Sequence, residues 1–227
     1  MKKPTPYTVS ARLYDLISFE WPVYGAGRST AISLLDLAPG SHVLDIGCGT
    51  GLNFPLLQRQ IGPRGSITGV DASAQMLAQA RQRADSAGWS NVTLIEADAT
   101  AVNPAALTPH QRFDAAIATY ALSLMPTWQT ALSTMISATR SGGQIAVVDM
   151  RTPTGAAAAW TPLARLACRL GRSDIEAHPW SDMSQRLARV ESASVRGGHI
   201  QIRVGSVERD GDSVPERDAA LDPPRQR

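Results

Sequence analysis

Nine residues, Val43-Leu44-Asp45-Ile46-Gly47-Cys48-Gly49-Thr50-Gly51, constrain this chain more than any other stretch. An apolar run carries an acid near its end, and three glycines then fall at alternate positions. That order reads as a buried strand, a tight turn and a helix opening at about Asn53-Phe54-Pro55. Proline suits a first helical turn, where its missing N–H is no loss. Glycine lets a ligand approach the backbone, and the N–H groups at a helix start favour negative charge. Two ligands suit such a turn. A dinucleotide asks for G-x-G-x-x-G. The spacing here is G-x-G-x-G, with Asp45 two residues ahead of the first glycine. That carboxylate would repel a pyrophosphate and suit a ligand carrying an ammonium or sulfonium cation.

Strand and helix patterns alternate from this point on. His42 to Ile46 reads as a strand, followed by a helix to about Gln60 and the breaker run Ile61-Gly62-Pro63-Arg64-Gly65. Ser66 to Val70 is a second strand, leading into Asp71-Ala72-Ser73. Asp71 lies twenty residues after Gly51, the reach of one helix plus one strand. Its carboxylate can therefore return to the ligand and accept from ribose hydroxyls. Ser73 is the better N-cap for the next helix, which leaves Asp71 free. That helix runs from Ser73 to Ala87, with Met76, Leu77, Ala80 and Ala84 on one face and Gly88 as terminator.

Val92 to Ala97 is a third strand, ending at Asp98-Ala99; Asn103-Pro104 and Pro109 mark a loop, and Phe113 to Ala118 is a fourth strand, followed by Thr119 and Tyr120. Thr127 to Thr139 is a helix ended by Ser141-Gly142-Gly143, and Gln144 to Asp149 is a fifth strand. Ala193 to Val195 and Ile200 to Val207, joined at Gly197-Gly198, read as two strands of an antiparallel hairpin. The expected fold is α/β, a parallel sheet with helices on both faces plus the terminal hairpin. Ligands in such sheets sit beyond the carboxyl ends of the strands. Asp45, Gly47, Gly49, Asp71, Asp98, Thr119 and Tyr120 all map there.

The flanks are less regular. Tyr7, Leu13, Tyr14, Leu16, Ile17, Phe19, Trp21 and Tyr24 make the first stretch too apolar for a solvated leader. Pro22 and Gly25 interrupt it, and a helix from about Gly27 to Leu37 follows. Residues 1–38 are thus expected to form a helical cap on a domain spanning 39–207. Within that domain, 151–190 read as a lid or acceptor insertion. Leu163, Leu166, Ala167 and Leu170 share one face of a helix there, and Arg165, Arg169 and Arg172 another. A helix over 161–172 so divided suits either an anionic membrane surface or a lid with a solvated face. Residues 208–227 carry six acids and only Val214 and Leu221 as sizeable apolar groups, a composition expected of a disordered tail.

The D-x-G-x-G-x-G run from Asp45 to Gly51 resembles motif I of class I S-adenosylmethionine (SAM)-dependent methyltransferases. The resemblance implies a Rossmann-like, seven-stranded, mostly parallel sheet, with SAM as cofactor and S-adenosylhomocysteine (SAH) as product. It assigns Asp45, Gly47, Cys48, Gly49 and Asn53 to the amino-acid end of SAM. Asp71 and Ala72 go to the ribose; Met76, Asp98 and Ala99 go to the adenine. Thr119 and Tyr120 fall where cofactor and acceptor meet. Tyr14-Asp15 and Tyr24…Arg28 resemble the N-terminal part of methyltransferases acting on lipid amines and quinones, where such residues close over SAM. Tyr14, Tyr24, Tyr120 and His178 are the candidates for contact with the reacting groups.

The whole chain resembles phosphatidylethanolamine N-methyltransferases and the related ubiquinone and menaquinone methyltransferases. An amine acceptor follows, small or lipid; a quinone or secondary metabolite is the alternative, and a non-catalytic SAM-binding module is the other class. A net charge of +2 gives no strong pull toward nucleic acid. Cys48 and Cys168 form neither a disulfide framework nor a metal-ligand spacing. No apolar run reaches the length of a membrane span. The expected location is cytoplasmic, with peripheral contact at the inner membrane face through 161–172.

Overall fold

The computed structural model describes residues 24–151 and 178–208. Tyr14, the helix expected over 161–172 and all but Glu208 of the expected tail lie outside the described residues.

Seven strands form one sheet: β1 (His42–Ile46), β2 (Ser66–Asp71), β3 (Val92–Glu96), β4 (Phe113–Thr119), β5 (Thr139–Met150), β6 (Ala188–Val195) and β7 (Ile200–Ser206). Their order is β3-β2-β1-β4-β5-β7-β6. Every pairing among the first five is parallel; β7 runs antiparallel to both β5 and β6. The helices are α1 (Gly25–Leu34), α2 (Phe54–Ile61), α3 (Ala74–Ser86), α4 (Pro104–Leu107), α5 (Trp128–Ala138) and α6 (Met183–Arg186). A 3-10 turn, Leu122–Leu124, follows β4.

Alternation along the strands divides the core into two layers. Val43, Ile67, Ala115, Ile117, Ala146 and Val148 face one side, where α1, α2 and α3 bring Ala31, Ile32, Leu35, Phe54, Leu57, Ile61, Leu77, Ala80 and Ala84. Leu44, Ile46, Val70, Ala116, Ala118, Ile145 and Val147 face the other, under Leu122, Leu132, Met135 and Met183. Burying each such Leu, Ile or Phe contributes about 1.5–3 kcal/mol. Small alanines fill both faces of β4 because helices press on it from either side.

Several boundaries differ from the sequence reading, each for a local reason. Strand β5 begins at Thr139 rather than Gln144. The diglycine that reads as a helix terminator lies inside it. A β-carbon on Gly143 would meet Thr139 Cγ2 at 2.6 Å and the Asp114 carbonyl at 2.7 Å. The β4–β5 register shifts there, from Phe113↔Thr139 to Ala115↔Gln144, and Arg140 Nε donates to Asp114 Oδ1 across it at 2.8 Å. Helix α4 replaces an expected loop: Asn103 Oδ1 accepts from the Ala105 N–H at 3.0 Å and Pro104 begins the helix. Strand β6 starts at Ala188, inside the stretch 151–190 read as an insertion, and α6 buries Met183 just before it.

Helix α1 starts at Gly25 and ends at Leu34, earlier at both ends than the expected Gly27 to Leu37. Its close docking depends on Gly27. A β-carbon there would lie 2.3 Å from Tyr120 Oη, 2.8 Å from Ile200 Cγ2 and 3.2 Å from Val148 Cγ1. Gly27→Val is therefore expected to lower unfolding free energy by about 1–3 kcal/mol, the usual cost of overpacking. Urea denaturation measures it, and unchanged stability would show that α1 is not seated on the sheet this way.

Candidate cofactor-binding site

The turn after β1 is built by backbone geometry. Gly47, Gly49 and Gly51 all take left-handed φ, at 64°, 53° and 77°. Only glycine adopts such angles without steric cost. Two of them are fixed by neighbours as well: a β-carbon on Gly47 would meet Ala121 Cβ at 2.4 Å, and one on Gly51 would meet the Phe54 ring at 2.6 Å. Gly49 differs, because nothing lies within 4 Å of where its β-carbon would be. That open approach to bare backbone is what a ligand cradle requires. Cys48 packs inward; its N–H donates to the Val70 carbonyl at 3.1 Å, and burial pushes its thiol well above the ordinary range.

Two carboxylates bracket the turn. Asp71, at the end of β2, accepts from the Gly49 N–H at 2.9 Å through Oδ2 and from the Ser73 N–H at 2.8 Å through Oδ1. Ser73 caps α3 as the sequence suggests, accepting from the Met76 N–H at 3.3 Å. Asp71 is nevertheless not left free; it props the turn from outside. Burial raises its pKa against those two N–H groups. Asp45 is fully buried. Asn53 Nδ2 donates to both of its oxygens at 3.0 Å. Asn53 stands at the N-cap position of α2, yet its side chain makes no cap hydrogen bond: its amide N–H₂ goes to Asp45, and its Oδ1, the atom a cap would use, accepts from Arg28 instead.

Beyond Asn53 the contacts lead outward to α1. Arg28 Nη1 donates to Asn53 Oδ1 at 3.1 Å and also to Thr119 Oγ1. Thr119 Oγ1 stands 3.1 Å from Asn53 Nδ2. The Arg28 guanidinium also lies over the Tyr120 ring, 5.1 Å from its centroid, a favourable cation–π placement. Tyr120 leaves β4 with a left-handed φ of 56°. Its hydroxyl donates to the Tyr24 carbonyl at 2.8 Å, and the two tyrosine rings pack 4.9 Å apart at 59°.

The structure thus brings Arg28, Asp45, Gly47, Cys48, Gly49, Asn53, Asp71, Thr119, Tyr120 and Tyr24 around one turn. Ala72 is exposed and Met76 buried just past β2. Asp98 follows Ala97, whose N–H donates to the Asp71 carbonyl at 3.1 Å; it is exposed, and its Oδ1 accepts from the Thr100 N–H at 2.8 Å and hydroxyl at 2.7 Å. Ala99 is buried, its carbonyl accepting from Thr134 Oγ1 at 3.2 Å. His178 packs on Trp180 with ring centroids 5.1 Å apart. Asp149, at the carboxyl edge, is fully buried and accepts from Ser123. Its signal, an acid at the end of an otherwise apolar strand, was the same one that marked Asp45.

Burial pushes the Asp45 carboxyl up to about 7, against the lowering effects of Asn53 and Arg28. The folded chain then keeps a proton that the unfolded chain loses near 3.8. Stability should fall as pH rises from about 4 to about 7, by up to about 4 kcal/mol from this group. Asp45→Asn removes that titration, so its stability should decline less across the window in urea denaturation at stepped pH. Equal slopes would mean that Asp45 is ionised in the folded protein.

Comparison with known proteins agrees with this geometry. A family model described as a methyltransferase domain matches residues 37–190. A demethylmenaquinone methyltransferase of Listeria welshimeri is 31% identical over 142 residues, 63% of this chain and 58% of that protein. A phosphatidylethanolamine N-methyltransferase of Cereibacter sphaeroides is 33% identical over 113 residues, 49% of this chain and 52% of that one. The chain thus spans between half and three-fifths of these relatives' lengths. Among solved structures, a SAM-dependent methyltransferase from Aquifex aeolicus superposes with a TM-score of 0.59 at 13% identity, over 86% of this chain and 97% of that one. The SAM-dependent methyltransferase SibL gives 0.66 at 20% identity, over 87% and 58%. Those likenesses establish the fold. With the matched domain covering most of the chain and the glycine turn in place, the chain belongs to the class I SAM-dependent methyltransferase family.

Proposed function

We propose that this protein transfers the methyl group of SAM to a neutral amine nitrogen on a small or lipid molecule. One observation carries the choice of acceptor. Among the described residues, the carboxylates of the turn and of the end of β5 are already engaged. Asp45 is held by Asn53, Asp71 by Gly49 and Ser73, and Asp149 by Ser123 and Met150. None of them stands ready to take a proton from an acceptor. A neutral amine needs no such base, since its lone pair attacks directly; a hydroxyl or an acidic carbon does need one.

SAM supplies an electrophilic methyl group on a sulfonium centre. The chain's own work is then positioning. Gly49 offers open backbone, Asp71 stands at the ribose reach, and Arg28 with Tyr120 walls the side toward α1. Correct alignment of two reactants can supply about 7–11 kcal/mol of the barrier. The second reading is a carbon of a reduced quinone, favoured by the name of the Listeria relative. Either acceptor can be membrane-borne, and the proposed contact is the arginine-faced stretch 161–172, at the cytoplasmic face. Among the described residues no helix is long and apolar enough to cross a membrane.

Labelled SAM incubated with phosphatidylethanolamine vesicles, and separately with reduced demethylmenaquinone in detergent, tests the two readings. Label is expected in the amine lipid; label in the quinol instead would replace the first reading by the second. SAH binding with label in neither, nor in any amine of a metabolite extract, would leave a non-catalytic binding module. Asp71→Ala is expected to weaken SAH binding by about 1.5–3 kcal/mol, the worth of charge-assisted hydrogen bonds. Calorimetry gives the value, and an unchanged dissociation constant would remove Asp71 from the cofactor site.

A further inference from the structure

The carboxylate of Asp149 has no part in the cradle described above, yet it is completely buried at the end of β5. Its two oxygens take three hydrogen bonds. Oδ2 accepts from the Ser123 N–H at 3.0 Å, and Oδ1 from the Ser123 hydroxyl at 2.7 Å and from the Met150 N–H at 2.8 Å. Burying an ionisable group is costly unless it is well bonded, and two of these bonds go to a single residue on another element.

That residue lies in the 3-10 turn Leu122–Leu124. The first N–H groups of any helical turn lack partners within the turn. Asp149 fills one of them from the neighbouring strand. The turn is closed by Leu124 N–H to the Ala121 carbonyl at 3.1 Å and Met125 N–H to the Leu122 carbonyl at 2.9 Å. Its two ends reach the cofactor turn directly: a β-carbon on Gly47 would meet Ala121 Cβ at 2.4 Å and Met125 Cε at 3.5 Å. Just before it, the Tyr120 N–H donates to the Val148 carbonyl at 2.7 Å, so β5 grips the segment twice.

We propose that Asp149 is a positioning residue, whose buried carboxylate holds the Ala121–Met125 turn against Gly47 and thereby sets where a methyl acceptor stands relative to the cofactor. The acceptor half of this statement rests on the methyl-transfer reading above; the holding of the turn does not. Asparagine in place of Asp149 would set an N–H₂ group against one of the Ser123 or Met150 donors, whichever way its amide faces. Ser123→Ala removes the hydroxyl bond to Asp149 and keeps the N–H bond.

Wild type, Asp149→Asn, Ser123→Ala and the double variant are compared as full chains in three measurements: amide exchange, SAH calorimetry and methyl transfer to the two probes named above. In Asp149→Asn, amides of 121–125 should exchange at least about tenfold faster than in wild type. SAH affinity should stay within about threefold, while kcat falls or acceptor KM rises by about tenfold. Ser123→Ala should show the smaller effect, and the double variant less than the sum of the two. Unchanged exchange would overturn the proposal. So would a loss of SAH affinity and thermal stability in step with activity, which marks a role in folding alone. Wild type that binds SAH but methylates neither probe, nor any amine of a metabolite extract, would overturn the acceptor half together with the functional reading, and exchange would then decide the other half.

Discussion

A buried carboxylate with one partner sets the terms for this site. Asp45 lies wholly inside the protein, and Asn53 answers both of its oxygens with a single amide group. Between them run the seven residues of the glycine turn, so the two ends of the turn are tied by the same contact that offsets part of the cost of burial. Asn53 passes its remaining oxygen to Arg28 and so to α1. The glycine turn, the end of β4 and α1 are therefore connected through one side-chain amide. Removing one partner of a buried polar contact leaves the other unsatisfied, which costs more than the contact itself contributes.

The three glycines of the turn are not equivalent. Gly47 and Gly51 are required by their φ angles and by the protein atoms against them, Ala121 and the Phe54 ring. Gly49 is required by its φ angle alone and leaves space above it. The same motif thus does two jobs: its outer glycines let the chain pack on itself, and its middle one leaves backbone open. Asp71 joins these jobs by bonding the Gly49 N–H from the neighbouring strand.

The carboxyl edge of the sheet as a whole is arranged by acids turned toward backbone N–H groups. Asp71 meets Gly49 and Ser73, Asp149 meets Ser123 and Met150, and Asp98 meets Thr100. Carboxylates at strand ends serve first to order the loops that leave the sheet, because loops carry N–H groups that no strand or helix satisfies. Asp98 orders its own loop in this way, through Thr100.

Residue order alone determined much of this protein. Alternating strand and helix periods, Pro and Gly at the element ends and the acid before three alternate glycines specified a parallel α/β sheet, its terminal hairpin and the glycine turn at its carboxyl edge. These are local signals, since they depend on backbone angles and on which faces of an element are apolar. The same locality explains the misreadings: Gly142-Gly143 carries the signature of a helix stop, and only the crowding of Thr139, Asp114 and Arg140 shows it to be part of β5. Tertiary structure decided the rest. It put β7 between β5 and β6, set the Asn53 amide on Asp45, and carried Arg28 across to the end of β4. It also made Asp149 the anchor of a turn 26 residues earlier in the chain. No pattern in the sequence encodes such pairings, because hydrogen bonds between distant residues are chosen only when packing brings their elements together.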